Sequence, residues 1–365
     1  MADTLVTVDE TNKGNTKGEE RTWSELLPEL LCSIRSSLFA GDSIIFGAVC
    51  KSWQLIPFPQ PLLMPIHDSL SIQSPCLMFF SRKNYVFNFF DPIRTATYQV
   101  DIPKLVDADI RFSKDGWLIM CQGRQTIFLF NPLTKEKIEL PDIPECTAFT
   151  TVCFSNPPTS SNCQVFGIQS YSHHSVTIGI LKVGEEVWTV DDVENNCNFK
   201  VTDCSPVMCN GLYYCLGFAG NFGVFDPEDN SWTICGKRHR QLKRSEQRFL
   251  IESDGDLFAV FASRDGRQAC VLKLDFLDKA WHEVQSLGDR MLYVCYRGSF
   301  SKKAVVRGTS NKIYFPKFFD SNGVFYSLTT RKFHTFFGNY SRGDFYGTKE
   351  MKHCAWINPM PSMRM

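Results

Sequence analysis

The residues best suited to chemistry are the adjacent histidines His173-His174 and 15 cysteines spread through 365 residues. A metal site needs converging ligands. Neighbouring residues on a strand point to opposite faces, so His173 and His174 are poorly placed to share an ion and read as a solvated loop. The cysteines form no C-x-x-C pair, and their tightest run is Cys204, Cys209, Cys215. Their number is odd, and we read them as reduced thiols, most of them small buried hydrophobes. The chain has no G-x-S-x-G elbow, H-E-x-x-H pair or Walker loop. Gly217, Gly220 and Gly223 are spaced by three without forming G-x-G-x-x-G, which suits turns and close strand packing. These patterns predict no catalytic residue, metal ligand or cofactor.

Composition points the same way. Lysine plus arginine equals aspartate plus glutamate at 39 each, so no general attraction to nucleic acid or an anionic membrane is expected. The basic run Lys237-Arg238-His239-Arg240-Gln241-Leu242-Lys243-Arg244 reads as a solvated inter-blade loop, or alternatively as a nuclear-import signal or a contact for an acidic partner. No run of about 18 apolar residues exists, and Met1 to Glu20 lacks an apolar leader core. A cytoplasmic or nuclear protein is the expectation.

The elements that would carry any site fall into two kinds. Residues 1–20 are polar and predict a disordered tail. Residues 21–60 predict a helical pair. Leu27, Leu31, Ile34 and Leu38 step by four, three and four onto one face, after Pro28 at a favourable first helical position. Gly41 and Asp42 supply a stop and a new cap. Ile45, Val49 and Trp53 then step by four beside Phe46 and Cys50, with Cys50 read as packing, and Pro57, Pro59 and Pro61 end the second helix. So small a unit cannot bury its apolar residues alone; it packs on a neighbour or binds a partner.

Residues 66–361 predict an all-β array. A unit recurs six times: an apolar strand, a polar turn and an aromatic or large apolar residue opening a second strand. Its markers are Tyr98, Ile138, Trp188, Trp232, Trp281 and Phe333, separated by 40, 50, 44, 49 and 52 residues. That period predicts four-stranded propeller blades, about six of them. The 31 phenylalanines suit pleated, half-buried surfaces. Asp115-Gly116, Asn210-Gly211 and Asp254-Gly255 mark tight turns between earlier strands of the blades. The late apolar stretch Cys354-Ala355-Trp356-Ile357 is placed to pair with the first blade and close the ring.

Trp23-Ser24-Glu25-Leu26-Leu27-Pro28-Glu29-Leu30-Leu31, then Ile34, Leu38, Asp42, Ile45 and Val49-Cys50-Lys51-Ser52-Trp53, resembles an F-box. The remainder resembles plant F-box proteins of the kelch-like family through Asp115-Gly116-Trp117-Leu118, Phe130-Asn131-Pro132-Leu133-Thr134, Phe225-Asp226-Pro227 and Cys354 to Pro359. Kelch blades carry a Gly-Gly doublet, and this sequence has none.

The resemblance implies a small N-terminal all-α F-box followed by an all-β propeller. It implies a non-catalytic substrate-recognition subunit of a Skp1–cullin–F-box ubiquitin ligase. Leu27, Pro28, Leu31, Ile34, Leu38, Ile45, Val49, Cys50 and Trp53 would contact a Skp1-like adaptor, which links to a cullin-RING scaffold, while the propeller holds an unknown target protein. The alternatives are a propeller-based small-molecule sensor or enzyme, and an F-box protein without a degradation role.

Overall fold

The structure, a computed structural model, describes residues 23, 26–37, 46, 49–56, 64–65, 74–81, 84–92, 96–236, 247–263, 268–304, 308–319, 322–335, 349–350 and 353–358. The tail over 1–20 and the basic run Lys237–Arg244 lie outside them. Two helices are described near the N-terminus: α1, Pro28–Ser37, and the single turn α2, Lys51–Gln54.

Six sheets follow, arranged as the blades of a propeller. Four are plain antiparallel meanders. Blade two is Ala108–Lys114, Trp117–Gln122, Thr126–Phe130 and Lys137–Glu139, and blade three is Thr151–Phe154, Gln164–Gln169, Ser175–Lys182 and Thr189–Glu194. Blade four is Val207–Cys209, Leu212–Leu216, Phe222–Asp226 and Ser231–Cys235, and blade five is Gln247–Ser253, Asp256–Ala262, Ala269–Asp275 and Ala280–Val284. The first strands of blades two and three approach one another, as do those of blades four and five, on the side that faces the axis.

The tight-turn reading has a direct backbone signature. Asp115 and Gly116 have φ of 48° and 77°, Asn210 and Gly211 51° and 83°, and Asp254 and Gly255 52° and 82°. Positive φ at both central residues defines the hairpin turn whose twist matches that of the flanking strands. The repeat markers fall on each blade's last strand, except Trp188, which stands one residue ahead of its strand. The repeat seen in the sequence is therefore the outer hairpin of each blade.

Blade one draws on both ends of the array. Its chain-order strands are Cys76–Ser81, Asn84–Asp91 and Ala96–Asp101, and its inner strand is Cys354–Ile357. Leu77 pairs with Trp356 and Met78 with Ala355, antiparallel. Met64–Pro65 adds a parallel pair to the outer edge, so this sheet starts just ahead of residue 66. Trp356 is fully buried. Its indole Nε1 donates to the Val294 carbonyl at 3.1 Å, its own carbonyl accepts from Ser113 Oγ at 2.7 Å, and its ring meets Tyr293 edge-on at 5.1 Å. One residue, through its indole and its carbonyl, thereby ties blades one, two and six.

Blade six departs from the four-stranded expectation. Phe300–Lys303 is its inner strand and Lys312–Phe319, Asn322–Ser327 and Lys332–Thr335 its outer three. Between them lies Arg290–Tyr293, parallel to Lys312–Phe319, and Lys349–Glu350 pairs with that same strand. Tyr293 fixes the insertion, stacked between Tyr314 at 4.7 Å and Phe300 at 5.1 Å.

Replacing Trp356 with Ala removes the indole from a buried junction, which costs about 3–5 kcal/mol and lowers the melting temperature by roughly 10 °C for a domain this large. Differential scanning calorimetry checks this, and a melting point within 2 °C of the native value, about the shift of one half to one kcal/mol, would place ring closure elsewhere.

Candidate functional site

Two regions offer sites. The first is the helical unit. Leu31 (1% exposed), Phe46 and Ile56 form a small core, with Leu26, Ile34 and Trp53 packed against it. Phe46 and Trp53 rings lie 4.4 Å apart, and Trp53 Nε1 donates to the Trp23 carbonyl at 3.0 Å. Arg35, one turn after Leu31, is also buried: its guanidinium donates to the Ile56 carbonyl and sits 5.4 Å from the Phe46 ring centre. Cys50 Sγ lies 3.0 Å from Ser52 Oγ, and that hydrogen bond, then the Trp53 amide, lowers the thiol pKa.

The other side of this unit is open. Leu27 is 63% exposed, Leu30 50% and Val49 56%. From Leu27, just ahead of α1, the order Leu27, Leu30, Ile34 is a second apolar stripe beside Leu31, wider than three core residues can cover.

The residues expected at an adaptor surface thus divide. Leu27 and Val49 face outward and Pro28 is exposed. Ile34, Cys50 and Trp53 are half-buried, and Leu31 belongs to the interior. Leu38 and Ile45 lie outside the described residues. Leu30 and Arg35 were not singled out by spacing. The exposure of Leu30 follows from a stripe offset by one position, and the burial of Arg35 from a carbonyl 21 residues away.

The second region is the propeller. An axial cavity of about 180 Å³ is bordered by the inner strands of blades two to six, through residues such as Lys114, Phe154, Met208, Ser253 and Ser301, and by Asn358, which directly follows that of blade one. Its charges are largely spoken for. Arg290 donates to Ser253 Oγ at 2.9 Å and pairs with the Asp254 carboxylate, and Lys114 Nζ donates to the Ser155 carbonyl at 2.5 Å. A larger cavity of about 500 Å³ opens between blades two and three, near Arg111, Arg124 and Phe149.

Several groups that could have carried metal or nucleophile chemistry serve the fold. His173 and His174 are exposed, and their carbonyls accept the amides of Phe199 and Asn195 in the next linker. Burial pushes the Cys204 thiol up to about 12 and the Cys209 thiol up to about 11, far from thiolates at neutral pH. Among the described residues Asp275, Asp278 and His282 bring ligand atoms within 4.8 Å of one another. The Asp275 carboxylate there accepts the amides of Asp278 and Leu277, which lower its pKa and build the outer turn of blade five. Gly223 faces the Trp232 ring, as a close-packing glycine should.

Phe149, which lines the 500 Å³ cavity, rests on two glycines. Gly167 and Gly179 pair across blade three, and the Phe149 ring lies on both.

Six four-strand-based blades round an axis, preceded by a small helical unit with an open apolar stripe, define a propeller protein with an N-terminal helical module. Residues 89–342 match the KIB1-4 beta-propeller family. An Arabidopsis thaliana F-box/kelch-repeat protein is 32% identical over 327 residues, covering 87% of this chain and 90% of its own length. An F-box protein of the same plant is 29% identical over 290 residues, 78% of this chain and 76% of its own. The chain belongs to the plant F-box proteins with a KIB1-4 beta-propeller.

A Cβ built on Gly179 would stand 2.2 Å from the Phe149 ring. Gly179→Ala therefore overpacks blade three and costs about 1–3 kcal/mol, a melting temperature lower by roughly 2–10 °C. An unchanged thermal melt would mean that Phe149 is free to move.

Proposed function

We propose that this protein is the substrate-recognition subunit of a Skp1–cullin–F-box ubiquitin ligase. Residues 21–60 act as the F-box and residues 66–361 as the target-binding propeller, with a tail over 1–20. The observation that carries the reading is the exposed apolar stripe of Leu27, Leu30 and Val49, on a unit whose core is already filled by Leu31, Phe46 and Ile56. An apolar helix face left open on so small a unit suits a groove on a partner, and burying each leucine there contributes about 2 kcal/mol. The F-box names of the relatives support a Skp1-like adaptor as that partner.

On this reading the protein transfers no ubiquitin itself. It raises the effective concentration of target lysines beside the charged conjugating enzyme. Leu27, Pro28, Leu30, Val49 and, beside them, Ile34, Cys50 and Trp53 form the adaptor face; Leu31 maintains its shape. Among the described residues no helix is long and apolar enough to cross a membrane, and a cytoplasmic or nuclear ligase is the setting we infer.

The test is a titration of purified full-length protein against a Skp1-like adaptor. Native protein binds at micromolar affinity or tighter, and Leu27→Asp/Leu30→Asp weakens binding at least about ten-fold, the equivalent of about 1.4 kcal/mol, with an unchanged thermal melt. Equal binding by the double variant would move the adaptor contact off this stripe, and no binding by the native chain would remove the ligase reading.

A further inference from the structure

The inner strand of blade two carries a defect in its ladder. Ile110 pairs with Met120 and Phe112 with Ile119, so Arg111 is an extra residue with no partner on the facing strand. A bulge of this kind re-aims one side chain and is common beside binding sites. Arg111 lines the 500 Å³ cavity between blades two and three. Its Nη2 donates to the Phe149 carbonyl at 2.6 Å, while its buried Nε finds no acceptor. The Phe149 carbonyl is itself held in place because the Phe149 ring is pressed onto Gly167 and Gly179.

Arg111 is half-buried, and the largest charge acting on its guanidinium is another cation. Burial, and then the neighbouring positive charge of Arg297, push the Arg111 guanidinium below its usual range, with Asp109 a smaller opposing influence. Asp109 lies 3.3 Å from His353 Nδ1. Arg124 adds a further cation at the cavity wall, against one carboxylate, Glu145 on the exposed linker. The remaining lining includes the buried apolar side chains of Ile143 and Phe149 and the Thr147 hydroxyl.

We propose that this cavity is a binding site for a small molecule with a phosphoryl head and an apolar, ring-sized body. Arg111 on its bulge, with Arg124 at the wall, holds the dianionic head. Ile143 and Phe149 cover the body. Guanidinium groups match phosphoryl oxygens in planar, charge-assisted pairs. The volume lies in the range of small-ligand pockets, about 300–1,000 Å³. The site is independent of the adaptor stripe, and a receptor whose propeller binds a small anion would couple target choice to that ligand.

The experiment is isothermal titration of the full-length protein with phenyl phosphate, alongside phenol, benzoate and inorganic phosphate. Phenyl phosphate binds at least about ten-fold more tightly than phenol or benzoate, and added salt weakens it. Inorganic phosphate competes with it. Arg111→Met weakens binding by about ten-fold or more, and Arg124→Ala by about two- to five-fold. Arg124 sits on an exposed turn, so Arg124→Ala keeps the test open should Arg111→Met fail to fold. No heat with phenyl phosphate up to about 10 mM, affinity unchanged in Arg124→Ala and in any folded Arg111→Met, or benzoate binding as tightly as phenyl phosphate would each overturn the assignment.

Discussion

The antiparallel pairing of Cys354–Ile357 with Cys76–Ser81 is the contact on which the rest of the propeller depends. Each blade keeps short, protected edges of its own, but without the C-terminal strand blade one would lose its inner strand and leave Cys76–Ser81 unpaired on that side. Closure by a strand from the far end also makes the blades one cooperative object. The inner strand of blade one exists only once the whole array is built. Bringing the ends together costs loop entropy, but that cost grows only with the logarithm of the loop length. It is offset locally. Trp356 is buried, hydrogen-bonded at its indole and its carbonyl, and in edge contact with Tyr293.

The irregular blade six follows from the same constraint. Tyr293, on the inserted parallel strand, is the residue against which Trp356 closes, and Tyr314 and Phe300 hold it by stacking. A plain four-stranded meander would carry no Arg290–Tyr293 segment at that place. Parallel pairing is slightly weaker per residue than antiparallel, and here the aromatic stack compensates.

Much of this was legible in the sequence, and what was not has a common cause. The outer hairpins could be read because turn chemistry and an aromatic opening are local signals. Asn131 shows why: its Oδ1 accepts the amides of Leu133 and Thr134, so a single side chain folds the turn. Cys354–Ile357 could be read as a closing strand because it is an isolated apolar run after a polar stretch. The parallel insertion in blade six could not, since nothing in Arg290–Tyr293 specifies Lys312–Phe319 as its neighbour. Nor could the Arg111 bulge. Ala108–Lys114 alternates well enough to pass for a regular strand, and the extra residue shows only against Met120 and Ile119 on the partner. For the helical unit, spacing placed Leu27 and Leu31 on one face. Packing separated them, because Phe46 and Ile56 claim Leu31 alone.

Bulge and closure together explain how a repetitive fold can carry a specific site. Six similar blades supply a rigid frame, and the inner strand of blade two lies against those of blades one and three, so a ladder defect in it is supported from both sides. The chain uses that support at Arg111. Next to it, Phe112 packs edge-on against Phe154 of blade three at 5.1 Å, and Ser113 bonds the closing strand's Trp356. The two residues that follow the defect are thus anchored to blades three and one, while Arg111 itself is released from the ladder toward the cavity. A guanidinium held this way loses little conformational freedom on meeting an anion, which is the condition under which a charge-assisted contact yields the most affinity. Without a closed ring the same bulge would relax by shifting the strand, and Arg111 would have no fixed direction.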